Sequence, residues 1–116
     1  MQQLIERHDA DLERVVLAAF LMNPLAMGTP TALIPSEMFY LERHRRVWRA
    51  FNRVHQRHGA LDLKLVELEI KDPEIALELA GIFASAAVLD SPTFAGYLID
   101  EYIAALRKLY AEREKG

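Results

Sequence analysis

The sequence predicts an all-α fold: a compact orthogonal bundle of about five to six helices with an extended C-terminal helix. Apolar residues recur at helical spacing in almost every segment. Alternating strand patterns and Asn-Gly or Asp-Gly hairpin turns are absent. The 116 residues, 52% of them hydrophobic and 27% charged, suit a single globular domain.

The first two long helices have recognisable ends. Asp9 or Asp11 can cap the first, and Pro24 ends it because a residue before proline is pushed out of the helical conformation. The second covers about residues 41–58 and stops at Gly59. The residues predicted to form the core are Leu12, Val16, Phe20, Phe39, Val47, Trp48, Phe51, Leu79 and Phe83.

Three further helices follow. Asp62 is placed to cap a short one, and Asp72-Pro73 begins the next, which runs to about residue 87. Ser91-Pro92 begins the last helix, whose apolar residues form two stripes between residues 94 and 110.

These two stripes together are wider than the apolar face that one helix needs to pack on its own domain. We therefore expect part of this helix to contact a second chain or sequence beyond residue 116. The candidate self-association residues are Leu98, Tyr102, Ile103, Leu106, Leu109 and Tyr110.

Charge is distributed unevenly around a net value of −3. Residues 42–58 carry +5, whereas residues 59–106 carry −7. A domain that binds duplex DNA strongly has a large positive excess, which this chain lacks. The arginine-rich helix can contact phosphate or an acidic partner, or can be a solvated face whose counter-charges lie in residues 62–78. Its candidate electrostatic patch is Arg45, Arg46, Arg49, Arg53 and Arg57.

No motif indicates catalysis or cofactor binding. A glycine-rich phosphate loop ending in Gly-Lys-Ser/Thr is missing, and the absence of cysteine excludes thiolate metal sites. His44, His55 and His58 share one helix, but they are better interpreted as solvated or hydrogen-bonded side chains than as metal ligands. The N-terminus has no signal pattern and the longest apolar run covers only residues 15–22, so we expect a soluble, cytoplasmic protein without a membrane partner.

Several strings resemble a known family. Residues 36–40 (SEMFY) and 44–51 (HRRVWRAF) are similar to the "DFY…xHRxIFxAM" segment of the N-terminal domain in the DnaB family of bacterial replicative helicases. Residues 59–66 (GALDLKLV) resemble the family's "G…(I/V)DxxTL" segment, and residues 12–17 (LERVVL) resemble its "EAExxVLG" opening. The likeness extends from residue 9 to about residue 110, with departures at Ala18, Gly81 and a short 70–74 junction.

This resemblance implies a non-catalytic assembly and partner-binding domain. Residues 1–8 are then a flexible N-terminal end, and residues 9–116 form the helicase collar domain without the ATPase domain. The family uses this domain for ring oligomerisation, as dimers and hexamers, for binding primase and for engagement of the helicase loader. It contacts DNA through the full assembly. ATP and magnesium are expected only in the missing C-terminal domain.

Two alternatives remain open at this point. The helicase-binding C-terminal domain of bacterial primase has a related helical fold and a similar length. A small nucleic-acid-binding module that uses the arginine-rich helix is the other. A small enzyme is disfavoured, since nucleophile, metal cluster and phosphate loop are all missing from the sequence.

Overall fold

A computed structural model describes the backbone of residues 9–88 and 92–115, and the side chains of residues 9–85 and 99–115. Within these ranges the chain forms five α-helices and three short 3-10 turns, and no strand. The predicted all-α class is therefore confirmed, and the longest helix is the last. The helices are α1 (Ala10–Met22), α2 (Glu42–His58), α3 (Leu63–Glu69), α4 (Pro73–Val88) and α5 (Pro92–Glu114).

The helix ends follow the local chemistry of the sequence. The Asp9 carboxylate accepts a hydrogen bond from the backbone N–H of Leu12, and Asp62 does the same for Leu65, each at 3.0 Å. Each aspartate satisfies an N–H that the first helical turn leaves without an intrahelical partner. Gly59 ends α2 with φ of 73°, a left-handed conformation that favours glycine. The predicted caps are thus confirmed.

Helix α1 lies at the centre of the fold. Its residues 16–20 are fully buried, and it packs against both α4 and α5. Helix α2 packs against α3, α4 and the 3-10 turn Ser36–Met38. Burial on all sides explains why residues 16–20 of α1 are all apolar, whereas α2 has one apolar face and one charged face.

An aromatic cluster around Trp48 fills the space between α1 and α2. The indole ring lies with its centroid 5.0 Å from that of Phe20, 5.8 Å from Phe39 and 6.2 Å from Phe51, all in tilted arrangements. The indole N–H donates to the carbonyl oxygen of Ile34 at 2.8 Å, so the one polar atom of this buried ring is satisfied.

Most of the predicted core residues are buried, with two exceptions. Leu12 is only partly buried at the edge of the core. Phe83 is 52% exposed, so its assignment to the core is wrong. On α4 the buried positions are Ile75, Leu79 and Ile82, and Phe83 follows Ile82 by one residue, which turns it about 100° away from that face.

The predicted flexible end at residues 1–8 lies outside the described residues, as do Ser91 and the side chain of Leu98. Within the part of the chain that the structure describes, no helix is long and apolar enough to cross a membrane.

Replacing Trp48 with alanine should lower the free energy of unfolding by about 3–5 kcal/mol, because it removes a large buried ring and leaves a cavity between α1 and α2. Trp48→Phe should cost clearly less, since it keeps an aromatic ring and loses mainly the hydrogen bond to Ile34. Urea denaturation followed by circular dichroism measures both. Equal losses in the two variants would contradict this interpretation of the cluster.

Candidate functional site: a buried ionic network and the surfaces around it

A buried histidine links three helices. His44 on α2 is fully buried, and its Nδ1 lies 2.7 Å from a carboxylate oxygen of Glu13 on α1. Its Nε2 lies 2.5 Å from a carboxylate oxygen of Glu78 on α4. We call Glu13, His44 and Glu78, with the arginines that contact Glu78, the buried ionic network.

Each carboxylate of the network has further donors. Glu13 accepts from the backbone N–H groups of Tyr40 and Leu41, at 2.6 and 3.4 Å, at the entry to α2. Glu78 accepts from Nε of Arg14 at 3.1 Å and faces Nε of Arg43 at 3.2 Å. The network therefore fixes the start of α2 to α1 and to the middle of α4.

The hydrogen-bond pattern predicts how many protons the imidazole of His44 carries. An ionised carboxylate accepts hydrogen bonds and cannot donate them. Since both ring nitrogens face carboxylates that already accept from other groups, we expect both nitrogens to donate and the His44 ring to carry both protons. Its positive charge compensates two carboxylates in a place where water cannot do so.

The electrostatics of Glu78 follow from these contacts. Burial of the Glu78 carboxyl raises its pKa, but the hydrogen bond and charge of His44, followed by Arg14 and Arg43, outweigh burial and hold the pKa below its ordinary value. The carboxylate is thus kept ionised by the cations that the fold brings to it.

This network is suited to holding helices together, not to catalysis. Both ring nitrogens of His44 are occupied by carboxylates, so neither is available to move a proton to or from a substrate. The cavities of about 190, 370 and 150 Å³ on the surface are lined by other residues. Among the described side chains, no group of three histidine, aspartate or glutamate residues is arranged to hold a metal ion.

The sequence predicted that His44 is a solvated or hydrogen-bonded side chain, and the hydrogen-bonded alternative is confirmed. It did not single out Glu13 or Glu78. The sequence did contain a signal for the burial of Glu13 and His44. Glu13 precedes Val16 and Leu17 by three and four residues, which places a carboxylate on the buried face of α1. His44 precedes Val47 and Trp48 in the same way. Two ionisable residues on the buried faces of separate helices indicate a buried pair.

The predicted electrostatic patch is largely paired with acids of the same chain. Arg53 and Arg57 both contact Glu69, each at 2.7 Å, and Arg46 contacts Asp72 at 3.0 Å. The hydrogen bond from Arg53, with Arg57 beside it, lowers the pKa of Glu69. The expected counter-charges within residues 62–78 are therefore confirmed for these three arginines.

The other two arginines of the patch use different partners. Arg49 lies 3.5 Å from Glu42, and Arg45 lies 3.9 Å from the same side chain. The Nε of Arg45 also donates to the carbonyl oxygen of Phe39 at 2.6 Å, which fastens the loop before α2.

The self-association residues predicted on the last helix are mostly used within the protomer. Ile103 and Leu106 are buried in the core, so they are not available to a second chain, and their assignment to such a surface is wrong. Tyr102 and Tyr110 pack against the core, and Leu109 is half-buried. The side chain of Leu98 lies outside the described residues.

The predicted self-association residues are used within the protomer because α1 and the loop before α2 cover α5. From its two apolar stripes we had expected part of this helix to be free. The guanidinium carbon of Arg113 lies 5.5 Å from the ring centroid of Tyr110 and 5.3 Å from that of Tyr40. Arg113 also donates to the carbonyl oxygen of Met38 at 3.0 Å. The end of α5 is thereby fastened to residues 38–40.

An apolar surface is exposed on α4 instead. Leu77 is 75% exposed and Phe83 is 52% exposed. The other exposed residues along this stretch are small, and the glutamate in it, Glu78, points inward to the buried ionic network. We call this the α4 apolar surface, and its members are Ala76, Leu77, Ala80, Gly81, Phe83 and Ala84.

The fold and the site define a small all-helical domain that is closed by a buried ionic network and offers an apolar helix face to solvent. A family model for the DnaB-like helicase N terminal domain matches residues 5–108. The chain belongs to this family, as the resemblance predicted, and the alternative of a primase C-terminal domain is set aside.

Individual relatives agree with the family. The replicative DNA helicases DnaB of Nostoc sp. and Synechocystis sp. are each 26% identical to the chain over 104 residues, which is 90% of this chain and 12% of the relative. That of Rhodothermus marinus is 34% identical over 61 residues, which is 53% of this chain and 6% of the relative. The chain thus spans a small part of the length of these relatives. No solved structure gives a significant match.

Substituting His44 by alanine should lower the free energy of unfolding by about 3–5 kcal/mol, because it leaves the buried carboxylate of Glu13 without a cation. Urea denaturation of the variant at neutral pH measures the loss. Arg46→Gln is the matched control, since it removes a cation from an exposed ion pair with Asp72. The control should lose much less stability, and a comparable loss would show that burial of the network has no special effect.

Proposed function

We propose that the chain is the assembly and partner-binding domain of a replicative DNA helicase, and that it supports ring oligomerisation and binding of primase. On this proposal it performs no chemistry, and ATP and magnesium are used by a separate ATPase domain. The membership of the family and the names of the relatives, all replicative DNA helicases, support the helicase context. Such a role requires the cytoplasm, where the bacterial chromosome is replicated.

The α4 apolar surface carries the assembly part of the proposal. From Ile75 onward the described side chains of α4 are apolar on every side, apart from the inward-facing Glu78 and the half-buried Ser85. A helix that is apolar all round is normally buried on all sides. In a single protomer one of these sides faces solvent, and an exposed apolar patch on a domain marks an interaction surface. We therefore assign the subunit contact to α4, not to the end of α5.

Primase binding is the second part, and the family resemblance supports it. Primase is the competing occupant of the α4 apolar surface, because both contacts need apolar area of this kind. The oligomeric state of the purified chain separates the two, because self-association needs no partner.

The variant Leu77→Asp/Phe83→Asp tests the α4 contact. We expect the unmodified chain to form dimers or larger species with rising concentration in sedimentation equilibrium. The double variant should stay monomeric, because two charges would be buried without partners at the contact. Its far-UV circular dichroism should match that of the unmodified chain, since both side chains are exposed.

Leu25→Asp/Leu33→Asp is the matched control, because Leu25 and Leu33 are at least as exposed but lie in the loop before α2. It should associate like the unmodified chain. A chain that remains monomeric at high concentration, or a control that dissociates as readily as the α4 variant, would contradict the assignment of the contact to α4.

A further inference from the structure

Two neighbouring cavities on α2 share a pair of arginines. A cavity of about 190 Å³ lies between α2 and the junction of α3 with α4, and a more open one of about 370 Å³ lies on the other side of α2. Arg49 and Arg53 line both, so the two cavities flank the same pair of arginines, and we call the surface that they form together the arginine groove. Its other lining residues are Arg46, Glu69, Ile70, Lys71 and Ile75 on one side, and Ile34, Ser36, Trp48, Asn52 and Gln56 on the other.

The groove keeps a positive excess after its internal ion pairs are counted. Glu69 is shared by Arg53 and Arg57, and Glu42 is shared by Arg45 and Arg49. Asp72 pairs with Arg46. Lys71 has no acidic partner among the described side chains. Counting Arg45 and Arg57, which lie beside the groove and do not line it, six cations face three carboxylates. This leaves an excess of three positive charges in this region of a chain whose total charge is −3.

These cations are accessible to a ligand. The side chains of Arg46, Arg49 and Arg53 are each close to half-exposed, at 46–47%. Ion pairs at such positions are weak, so a ligand can compete for the guanidinium groups. A guanidinium presents a planar fork of N–H donors that matches a carboxylate or a phosphate.

The spacing of the arginines favours a helix as the ligand. Arg46, Arg49 and Arg53 are three and four residues apart, so they follow one side of α2 over about 10 Å at a rise of 1.5 Å per residue. A helix that carries carboxylates at the same spacing can face all three. Ile70, which is partly exposed at one end of the groove, offers contact to its apolar side chains.

Nucleic acid fits the groove less well than an acidic protein segment does. Binding of single strands uses exposed aromatic rings on which bases stack. The one aromatic ring that lines the groove, that of Trp48, is buried, and its N–H is occupied by Ile34. The acidic remainder of the chain also repels a long polyanion, whereas a short acidic helix contacts the groove alone.

We infer that the arginine groove binds an acidic, amphipathic helix of a partner protein. This inference extends the proposed function, because it gives the chemistry of one partner. The residues of the arginine groove are different from those of the α4 apolar surface, so each contact can be disrupted and tested without the other.

The inference is tested with a fluorescein-labelled helical peptide that carries glutamates at i, i+3 and i+7 with leucines between them. Fluorescence anisotropy should show binding that weakens as salt rises. Arg49→Glu/Lys71→Glu should weaken it at least about tenfold, because both side chains are exposed and lie in the groove. A peptide with glutamine in place of the glutamates should bind at least about tenfold more weakly for the same reason.

The matched control is Arg107→Glu/Lys108→Glu, which makes the same change of net charge at exposed positions on α5. It should change the affinity less than about twofold. Leu77→Asp/Phe83→Asp should also leave peptide binding intact, which separates this test from the one for assembly. Far-UV circular dichroism and urea denaturation verify that each variant is folded.

Three results would overturn the inference. One is no binding of the peptide at low salt, and another is an equal loss in the groove variant and the α5 control. The third is binding of a labelled oligothymidylate that depends on Arg49 and Lys71 when the peptide does not bind, which would assign the groove to nucleic acid.

Discussion

The contact between His44 and the two carboxylates of Glu13 and Glu78 determines how the helices of this domain are arranged. It brings together α1, α2 and α4 at one buried point, with nitrogen–oxygen distances of 2.7 and 2.5 Å. An apolar contact would tolerate small shifts of the helices. Two fully buried ionic groups, Glu13 and His44, and the mostly buried Glu78 tolerate few, since any separation leaves a charge without a partner. The register of α2 against α1 and α4 is therefore fixed by charge as much as by packing.

This arrangement determines which surfaces remain for partners. Because Glu78 points into the network and Ile75, Leu79 and Ile82 into the core, the opposite side of α4 faces outward with Leu77 and Phe83. Because His44, Val47 and Trp48 face inward, the arginines of α2 are directed to solvent and to the acids of the α3–α4 junction. The two surfaces proposed for partners are thus the outward faces of the same two helices that the network holds.

The sequence was sufficient to predict where the helices begin and end, but not which of their faces are exposed. The caps at Asp9 and Asp62 and the stop at Gly59 depend on neighbours within three residues, so local patterns identify them. The exposure of a helix face depends on which other helix covers it. Two apolar stripes on α5 suggested a free face, yet Ile103 and Leu106 are covered, while Phe83 on α4 is not. The partners of His44 lie 31 and 34 residues away. Local patterns place Glu13 and His44 on buried helix faces, but they gave no signal for Glu78.

The most direct measurement is a long-range ¹H–¹⁵N nuclear magnetic resonance spectrum of the His44 ring at neutral pH. Donation to both carboxylates predicts two nitrogen-bound protons on this ring, with ¹⁵N shifts typical of the doubly protonated form and slow exchange with water. A ring with one bare nitrogen, or ring protons that exchange as fast as those of the exposed His58, would contradict the account.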